Sequence, residues 1–158
     1  MPFTPYHMGF GLVAKSLQPN RISLIMFGFS QVAIDLQQLY KHLTERVAIH
    51  GVSHCILGAT FIGLACIPFR SSMERLFNKA ISFKSSIYGI FIGVYSHLIL
   101  DSIVHPDVSN NLFRPFAINS HLFGLLSKIE MNLLCVLLGI FGLIIMGVRH
   151  IINRKKSQ

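Results

Sequence analysis

The chain alternates between long apolar runs and short polar stretches, with proline or clustered polar residues at the breaks. The apolar runs cover 5–17, 22–40, 51–69, 86–104 and 129–148. The last four have about 20 residues each, the length that an α-helix needs to cross a hydrocarbon core of about 30 Å. The first run reaches only about 21 Å at 1.5 Å per residue, so we expect a short helix that is half-inserted or re-entrant.

These runs predict an all-α fold, an integral membrane bundle of four transmembrane helices plus one short N-terminal helix. The basic connection 70–84 has room for a short amphipathic helix, and 106–128 is too polar to span and is expected to be irregular. We treat the chain, 1–158, as a single domain with three parts: a site-bearing part (1–108), a final loop and helix (109–150) and a basic tail (151–158).

Charged residues are scarce and lie between the apolar runs. Only 13% of the residues are charged, against about 25% in a typical soluble protein. Ten of the fourteen lysines and arginines fall at the turn after the first run, in 70–84 and near the C-terminus, which predicts that these regions face the cytoplasm. Because the basic residues do not line one face, the net charge of +8 indicates a lipid bilayer as the partner and no nucleic acid.

Eight ionisable residues interrupt the predicted helices. An aspartate at mid-bilayer costs roughly 2.5–3.5 kcal/mol on an insertion scale, so such residues usually mark a functional site. A mixture of imidazole and carboxylate is what a divalent metal such as zinc prefers. The candidate metal ligands are His7, Asp35, His50, His54, His97, Asp101 and His105. The eighth residue, Asp107, is a candidate general base, as is Asp35.

Spacing and depth both indicate a common site. The pair His50/His54 and the series His97/Asp101/His105 have steps of four residues, so each set lines one helix face. Counted along helices of alternating direction, the candidates within the predicted helices lie about 15–28 Å above the cytoplasmic ends. The sequence therefore predicts that they meet in the outer half of one bundle.

The candidates differ in whether an ordinary structural position would account for them without a functional site. Asp35, His54, His97 and Asp101 sit among apolar neighbours, and a buried carboxylate needs a partner. For His7, His50, His105 and Asp107, a position at a helix end or a membrane interface is an equally open explanation. We expect the remaining histidines, His42, His121 and His150, to be solvated, and the three cysteines to be small buried residues.

Several short motifs follow one another in order. They are Met-Pro-Phe-Thr-Pro-Tyr-His at 1–7, Ala-Ile-Asp at 33–35, His-Gly-Val-Ser-His at 50–54, Ser-His-Leu-Ile-Leu-Asp-Ser at 96–102 and His-Pro-Asp at 105–107. In this order they resemble the bacterial family of membrane-bound metal-dependent hydrolases, which includes the LexA-regulated inner-membrane proteins. The resemblance covers about 1–108 and implies a hydrolase in the bacterial inner membrane. The family often has a second aspartate where this chain has Gln37 and a small hydroxyl residue where it has Cys55, which favours one metal ion over two.

The first of two functional hypotheses is a membrane-embedded metal-dependent hydrolase. In it, His54, His97 and Asp101 hold a divalent ion, most plausibly zinc. Asp35 or His7 completes the ligand set, and a metal-activated water attacks an ester or phosphoester, lipid-linked substrates included.

The second hypothesis is a non-enzymatic membrane protein that binds or moves a metal ion or protons through the same residues. A transporter usually has polar groups through the whole membrane depth, whereas the inner half here is apolar and has no internal repeat, which favours the enzyme. In the first hypothesis the outer histidines, His50 and His105, are candidates for a second ion or a substrate phosphate. The sequence leaves the substrate and the oligomeric state open.

Overall fold

The computed structural model describes residues 4–44, 52–116, 118 and 120–156, and all regular secondary structure in these ranges is helical. The helices are α1 (Met8–Leu17), α2 (Leu24–Leu43), α3 (Ile56–Cys66), α4 (Arg70–Phe77), α5 (Phe83–Val104), α6 (Pro106–Asn111) and α7 (Lys128–Lys156). Short 3-10 turns precede three of them, at Thr4–His7, Val52–His54 and Ile67–Phe69. The predicted all-α fold is confirmed for this part of the chain.

Three helical stretches within the described residues are long and apolar enough to cross a membrane. They are Ile56–Phe77, Phe83–Val104 and Lys128–Lys155. The helix α2 has 20 residues, but its glutamines and Asp35 make it more polar than these three. Length and composition therefore support a membrane protein with three such stretches.

Three predicted boundaries differ from the structure, two of them at prolines. The third run does not stop near Pro68, because this residue lies at the start of a 3-10 turn that leads from α3 into α4 without a break. Similarly, 106–128 is not irregular throughout, since Pro106 begins α6 as its first residue. At the C-terminus, α7 continues through most of the predicted basic tail and ends at Lys156.

Helices α2 and α5 run parallel and in close contact. The N–H of Ser23, just before α2, donates to the carbonyl of Ser85 at 3.1 Å. A Cβ on Gly89 would collide with the Ser23 carbonyl, and one on Gly93 would lie 2.9 Å from the Phe27 carbonyl. Only glycine lets the two backbones approach so closely, as in other small-residue contacts between membrane helices.

This glycine contact sets the level of the polar residues on both helices. Asp35 lies eight residues beyond Phe27 in α2, while His97 and Asp101 lie four and eight residues beyond Gly93 in α5. Residues four apart share a helix face. The contact therefore brings one carboxylate of α2 to the same level as an imidazole and a carboxylate of α5.

Helix α1 packs lengthwise on α7. A Cβ on Gly9 would lie 2.8 Å from the carbonyl carbon of Cys135, so this contact is also made by backbone. Near the other end of α1, Arg149 of α7 donates from Nη1 to the carbonyl of Ser16 at 2.6 Å. With α1 held at both ends, His7 directly before it is placed inside the bundle and is only 1% exposed.

An apolar core lies between α2, α3, α5 and α6. Its buried members are Ile34, Ala59, Val94, Leu98, Val108 and Leu112. Ile34 directly precedes Asp35, and Leu98 directly follows His97. The polar residues are therefore bordered by side chains that exclude water, which strengthens electrostatic interactions among them.

Replacing Gly93 should separate α2 from α5. In Gly93→Val the new side chain would meet Ser30 Oγ and the Phe27 carbonyl, and overpacking of this kind costs about 1–3 kcal/mol. We expect a lower unfolding temperature in detergent, measured by intrinsic fluorescence. The matched control is Gly147→Val on α7, where a Cβ has no atom within 4 Å. Equal unfolding temperatures for the two variants would contradict the close α2–α5 contact.

Candidate metal centre

Four side chains from three segments meet between the helices. They are Asp35 of α2, His54 of the turn before α3, and His97 and Asp101 of α5, and they offer one ligand atom each within 4.8 Å of one another. His54, His97 and Asp101 are buried, with 0%, 1% and 3% exposure. Asp35 is the exception, with a side chain that is 22% exposed. This group can therefore hold a metal ion with one ligand at an accessible edge.

Four of the six distances between the ligand atoms are close to the edge length of a tetrahedron around a zinc ion. His97 Nε2 lies 3.2 Å from Asp35 Oδ1 and 3.3 Å from Asp101 Oδ2. His54 Nε2 lies 3.4 Å and 3.5 Å from the same two oxygens. Zinc bonds of about 2.0–2.1 Å in a regular tetrahedron give edges of about 3.3–3.4 Å between ligand atoms. The four atoms thus fit around one zinc-sized ion.

The orientation of His97 supports the same conclusion. Although its Nε2 lies within 3.3 Å of carboxylate oxygens, it makes no hydrogen bond to any residue in the described part of the chain. A buried nitrogen without a hydrogen bond is costly and calls for an explanation. An ion between the imidazole and the carboxylates would satisfy this nitrogen.

Local hydrogen bonds position the turn that carries His54. The thiol of Cys55 caps α3 by accepting from the Gly58 N–H at 3.3 Å, and it donates to the Val52 carbonyl at 3.1 Å. The N–H of Ile56 donates to the carbonyl of Leu112 at 2.9 Å. Cys55 therefore has the capping role that a small hydroxyl residue would have.

Gln31 selects the tautomer of His97. Its Nε2 donates to the carbonyl of Gly93 at 3.0 Å, which turns its Oε1 towards His97 Nδ1 at 2.8 Å. Because Oε1 can only accept, His97 donates from Nδ1 and carries its lone pair on Nε2, on the side of the carboxylates. Histidines that bind metals have this arrangement, with the second nitrogen donating to a protein oxygen.

A separate chain of hydrogen bonds selects the tautomer of His54. The hydroxyl of Ser53 donates to Gln37 Oε1 at 3.0 Å. Ser53 Oγ also lies 2.9 Å from His54 Nδ1, and since its one proton is already used, it accepts from that nitrogen. Both imidazoles therefore present an Nε2 lone pair to the same space.

His7 lies beside the group and outside it. Its Nδ1 is 3.2 Å from His97 Nδ1, whose single proton is already donated to Gln31 Oε1. His7 Nε2 lies 3.9 Å from Asp101 Oδ1, whereas the other oxygen of this carboxylate, Oδ2, faces His54 and His97. This placement favours Asp35 over His7 as the fourth ligand.

The charges of the group also suit a cation. With both imidazoles neutral, as metal binding requires, the two carboxylates leave two negative charges in a largely buried space. Isolated buried charges are strongly unfavourable unless they are paired or bind a metal. A divalent cation balances the group.

Two of the other predicted site residues, His105 and Asp107, do not belong to this group. His50 lies outside the described residues. His105 forms the junction of α5 and α6, one turn beyond Asp101, and Asp107 is in the first turn of α6. Neither His105 nor Asp107 is among the four residues that meet.

Sequence reasoning missed the residues that orient the histidines. Gln31 of α2 and Ser53 of the turn before α3 contact the imidazoles, and Gln37 accepts from Ser53, but no orienting role was predicted for any of them. The sequence contained one indication for Gln31. It precedes Asp35 by four residues and therefore lies on the helix face that carries the candidate ligand.

Comparisons with known proteins do not add to this picture. No protein family, no curated protein and no solved structure matches this chain. The case for metal chemistry therefore depends on the geometry of the four side chains.

Removing the Gln31 amide should weaken metal binding without removing a ligand. In Gln31→Leu the tautomer of His97 is no longer selected, and loss of such an outer hydrogen bond typically costs about 10–100-fold in metal affinity. We expect this change in zinc competition titrations against a chelator, with Gln18→Leu, at an exposed glutamine, as the control. Equal zinc affinities for the two variants would show that the Gln31 contact has no part in a metal site.

Proposed function

We propose that the protein is a membrane-embedded metal-dependent hydrolase that cleaves an ester or phosphoester bond. The observation that carries the proposal is the set of four ligand atoms, all within 4.8 Å of one another, in which one carboxylate, Asp35, is partly exposed. A catalytic metal site differs from a structural one by keeping a position for water or substrate. The accessible edge at Asp35 can provide that position.

The residues present fit zinc better than other common divalent ions. His54, His97 and Asp101 are the buried ligands, and nitrogen with carboxylate oxygen at tetrahedral spacing suits zinc. Calcium and magnesium prefer six or more oxygen ligands, and this group contains two imidazoles. When bound, zinc supplies Lewis acidity that makes water a better nucleophile near neutral pH.

The chain's own residues have distinct parts in this reaction. Asp35 sits at the exposed edge and would accept the proton of the attacking water as general base. Gln31 and Ser53 hold the two imidazoles in one orientation. His7 lies beside Asp101, with its Nε2 3.9 Å from Oδ1. Apolar neighbours exclude bulk water from His54, His97 and Asp101.

The surroundings of Asp35 support a lipid-linked substrate. On α2, the side chains of Val32, Leu36 and Leu39 are exposed by 50% or more, so an apolar surface borders the accessible edge. If α2 is the fourth transmembrane helix, this surface faces lipid. A substrate with a lipid tail would then reach the site sideways from the membrane, with its polar group at Asp35.

The proposal includes a topology. The four spans are α2, the stretch Ile56–Phe77, α5 and α7, and α1 is a short helix packed inside the same layer. The distribution of lysine and arginine predicts that the C-terminal end of α7 faces the cytoplasm. The resemblance to inner-membrane hydrolases adds the bacterial cell membrane as the expected location.

One observation favours a second candidate function, that of a non-enzymatic metal-binding protein. Four protein ligands complete a tetrahedron, and a closed set of this kind is typical of structural zinc sites. In that case Asp35 would be a permanent ligand, equivalent to Asp101. The two candidates therefore differ in what Asp35 does.

Metal content and hydrolysis, measured together, test the proposal. Protein in lipid nanodiscs is analysed for zinc and assayed on ester and phosphoester substrates with and without lipid tails. We expect about one zinc per wild-type chain and a loss of zinc in Asp101→Asn. In Asp35→Asn, we expect zinc to remain and hydrolysis to fall by about 10²–10⁴-fold, the usual contribution of a general base.

The control is Glu130→Gln, which changes an exposed carboxylate at the start of α7 and should alter neither result. A wild-type protein that holds zinc but hydrolyses none of the substrates, with Asp35→Asn losing as much zinc as Asp101→Asn, would support the non-enzymatic candidate. A wild-type protein that holds no metal after chelator-free purification would contradict both.

A further inference from the structure

A second polar site lies at the other end of the bundle, where α2 and α5 begin. A cavity of about 360 Å³ is bordered there by the end of α1, the first residues of α2, the connection before α5 and Met146 of α7. Asp35 is eleven residues from Leu24, the start of α2, which is about 16 Å along the helix. The cavity is therefore separate from the candidate metal centre.

Two lysines give this cavity its charge. Lys15 and Lys79 both line it. The Lys15 ammonium is held in place by the carbonyls of Pro19 and Ile22, the latter at 2.7 Å. Burial, together with the neighbouring charge of Lys79, lowers the pKa of Lys15. Two ammonium groups are thus kept close together at the same opening.

No carboxylate among the described residues lines the cavity to balance these charges. The nearest acidic group in the adjoining connection is Glu74. Its Oε1 accepts from the N–H of Ile81 at 2.8 Å and lies 3.4 Å from Nη1 of Arg70. Because Arg70 already pairs with Glu74, the two lysines keep a net positive charge at the cavity.

The remaining lining groups also suit an anion. The side chains of Asn20 and Ser82 offer hydrogen-bond donors at the cavity. The helices α2 and α5 both begin there, so the positive ends of two parallel helix dipoles add to the lysine charges. Opposite these polar groups, Ile25 and Met146 provide an apolar wall.

We propose that this cavity binds a phosphate group between Lys15 and Lys79. Ammonium groups with nearby hydroxyl and amide donors form short charge-assisted hydrogen bonds to phosphate oxygens. At about 30 Å³ per water molecule, the volume is about twelve times that of one water, enough for a phosphate and the atoms attached to it. The phosphate comes from an anionic phospholipid headgroup or from free inorganic phosphate, and the apolar wall accommodates the glycerol part of the former.

The test uses full-length protein in neutral detergent and follows binding by native mass spectrometry. The added probes are phosphatidylglycerol, phosphatidylcholine and inorganic phosphate. We expect phosphatidylglycerol to bind more tightly than phosphatidylcholine, and Lys79→Gln to weaken its binding by at least about tenfold, the effect of losing one charged hydrogen bond. Lys15→Gln should act in the same direction, but it also removes the bonds to the α1–α2 turn. For that reason Lys79→Gln is the more informative variant.

The matched control is Arg154→Gln, an exposed cation near the end of α7. Inorganic phosphate that binds and competes with phosphatidylglycerol, with both effects lost in Lys79→Gln, would identify the cavity as a general phosphate site. Phosphatidylglycerol binding that resists inorganic phosphate and depends on Lys79 would identify a lipid site. Equal weakening in Lys79→Gln and Arg154→Gln, or no preference for phosphatidylglycerol, would overturn the proposal.

Discussion

The close contact between α2 and α5 is the constraint on which the candidate metal centre depends. At Gly89 and Gly93 the two backbones touch, so neither helix can slide along the other without losing this fit. Four-residue steps from this contact lead to Asp35 on one helix and to His97 and Asp101 on the other. A shift of one helical turn, about 5.4 Å, would separate these side chains by more than a metal ion can bridge.

Around this contact, an outer set of polar side chains orients the two histidines of the candidate metal centre. Gln31 orients His97, and Gln37 acts through Ser53 on His54, so each imidazole presents the nitrogen that a metal needs. Such networks are costly in an apolar interior unless every member has a partner. The four ligand atoms lie at the centre of this network and could hold a divalent cation. The packing of α2 therefore positions both a candidate ligand, Asp35, and the glutamines that act on the two histidines.

How far the sequence predicts this arrangement differs from feature to feature. The four-residue spacing in α5 and the matched depth of Asp35 and His54 predict that these residues meet, because helix geometry is regular over such distances. The helix α6 was missed because a proline can follow the end of one helix and also stand first in the next. Only packing decides whether a second helix begins there. The role of Gln31 was also missed, because a glutamine in a helix has no single preferred partner. Its contact with His97 depends on a long-range packing that no local pattern specifies.

The account's central claim is that His54, His97 and Asp101 hold one zinc ion beside Asp35, and X-ray absorption spectroscopy of the zinc-loaded protein tests it most directly. We predict a first shell of nitrogen and oxygen atoms alone, at about 2.0–2.1 Å, with the outer-shell scattering of two imidazoles. Sulfur scattering at about 2.3 Å, which would come from one of the three free cysteines, would contradict it. So would a shell without imidazole, since His54 and His97 could not then be ligands.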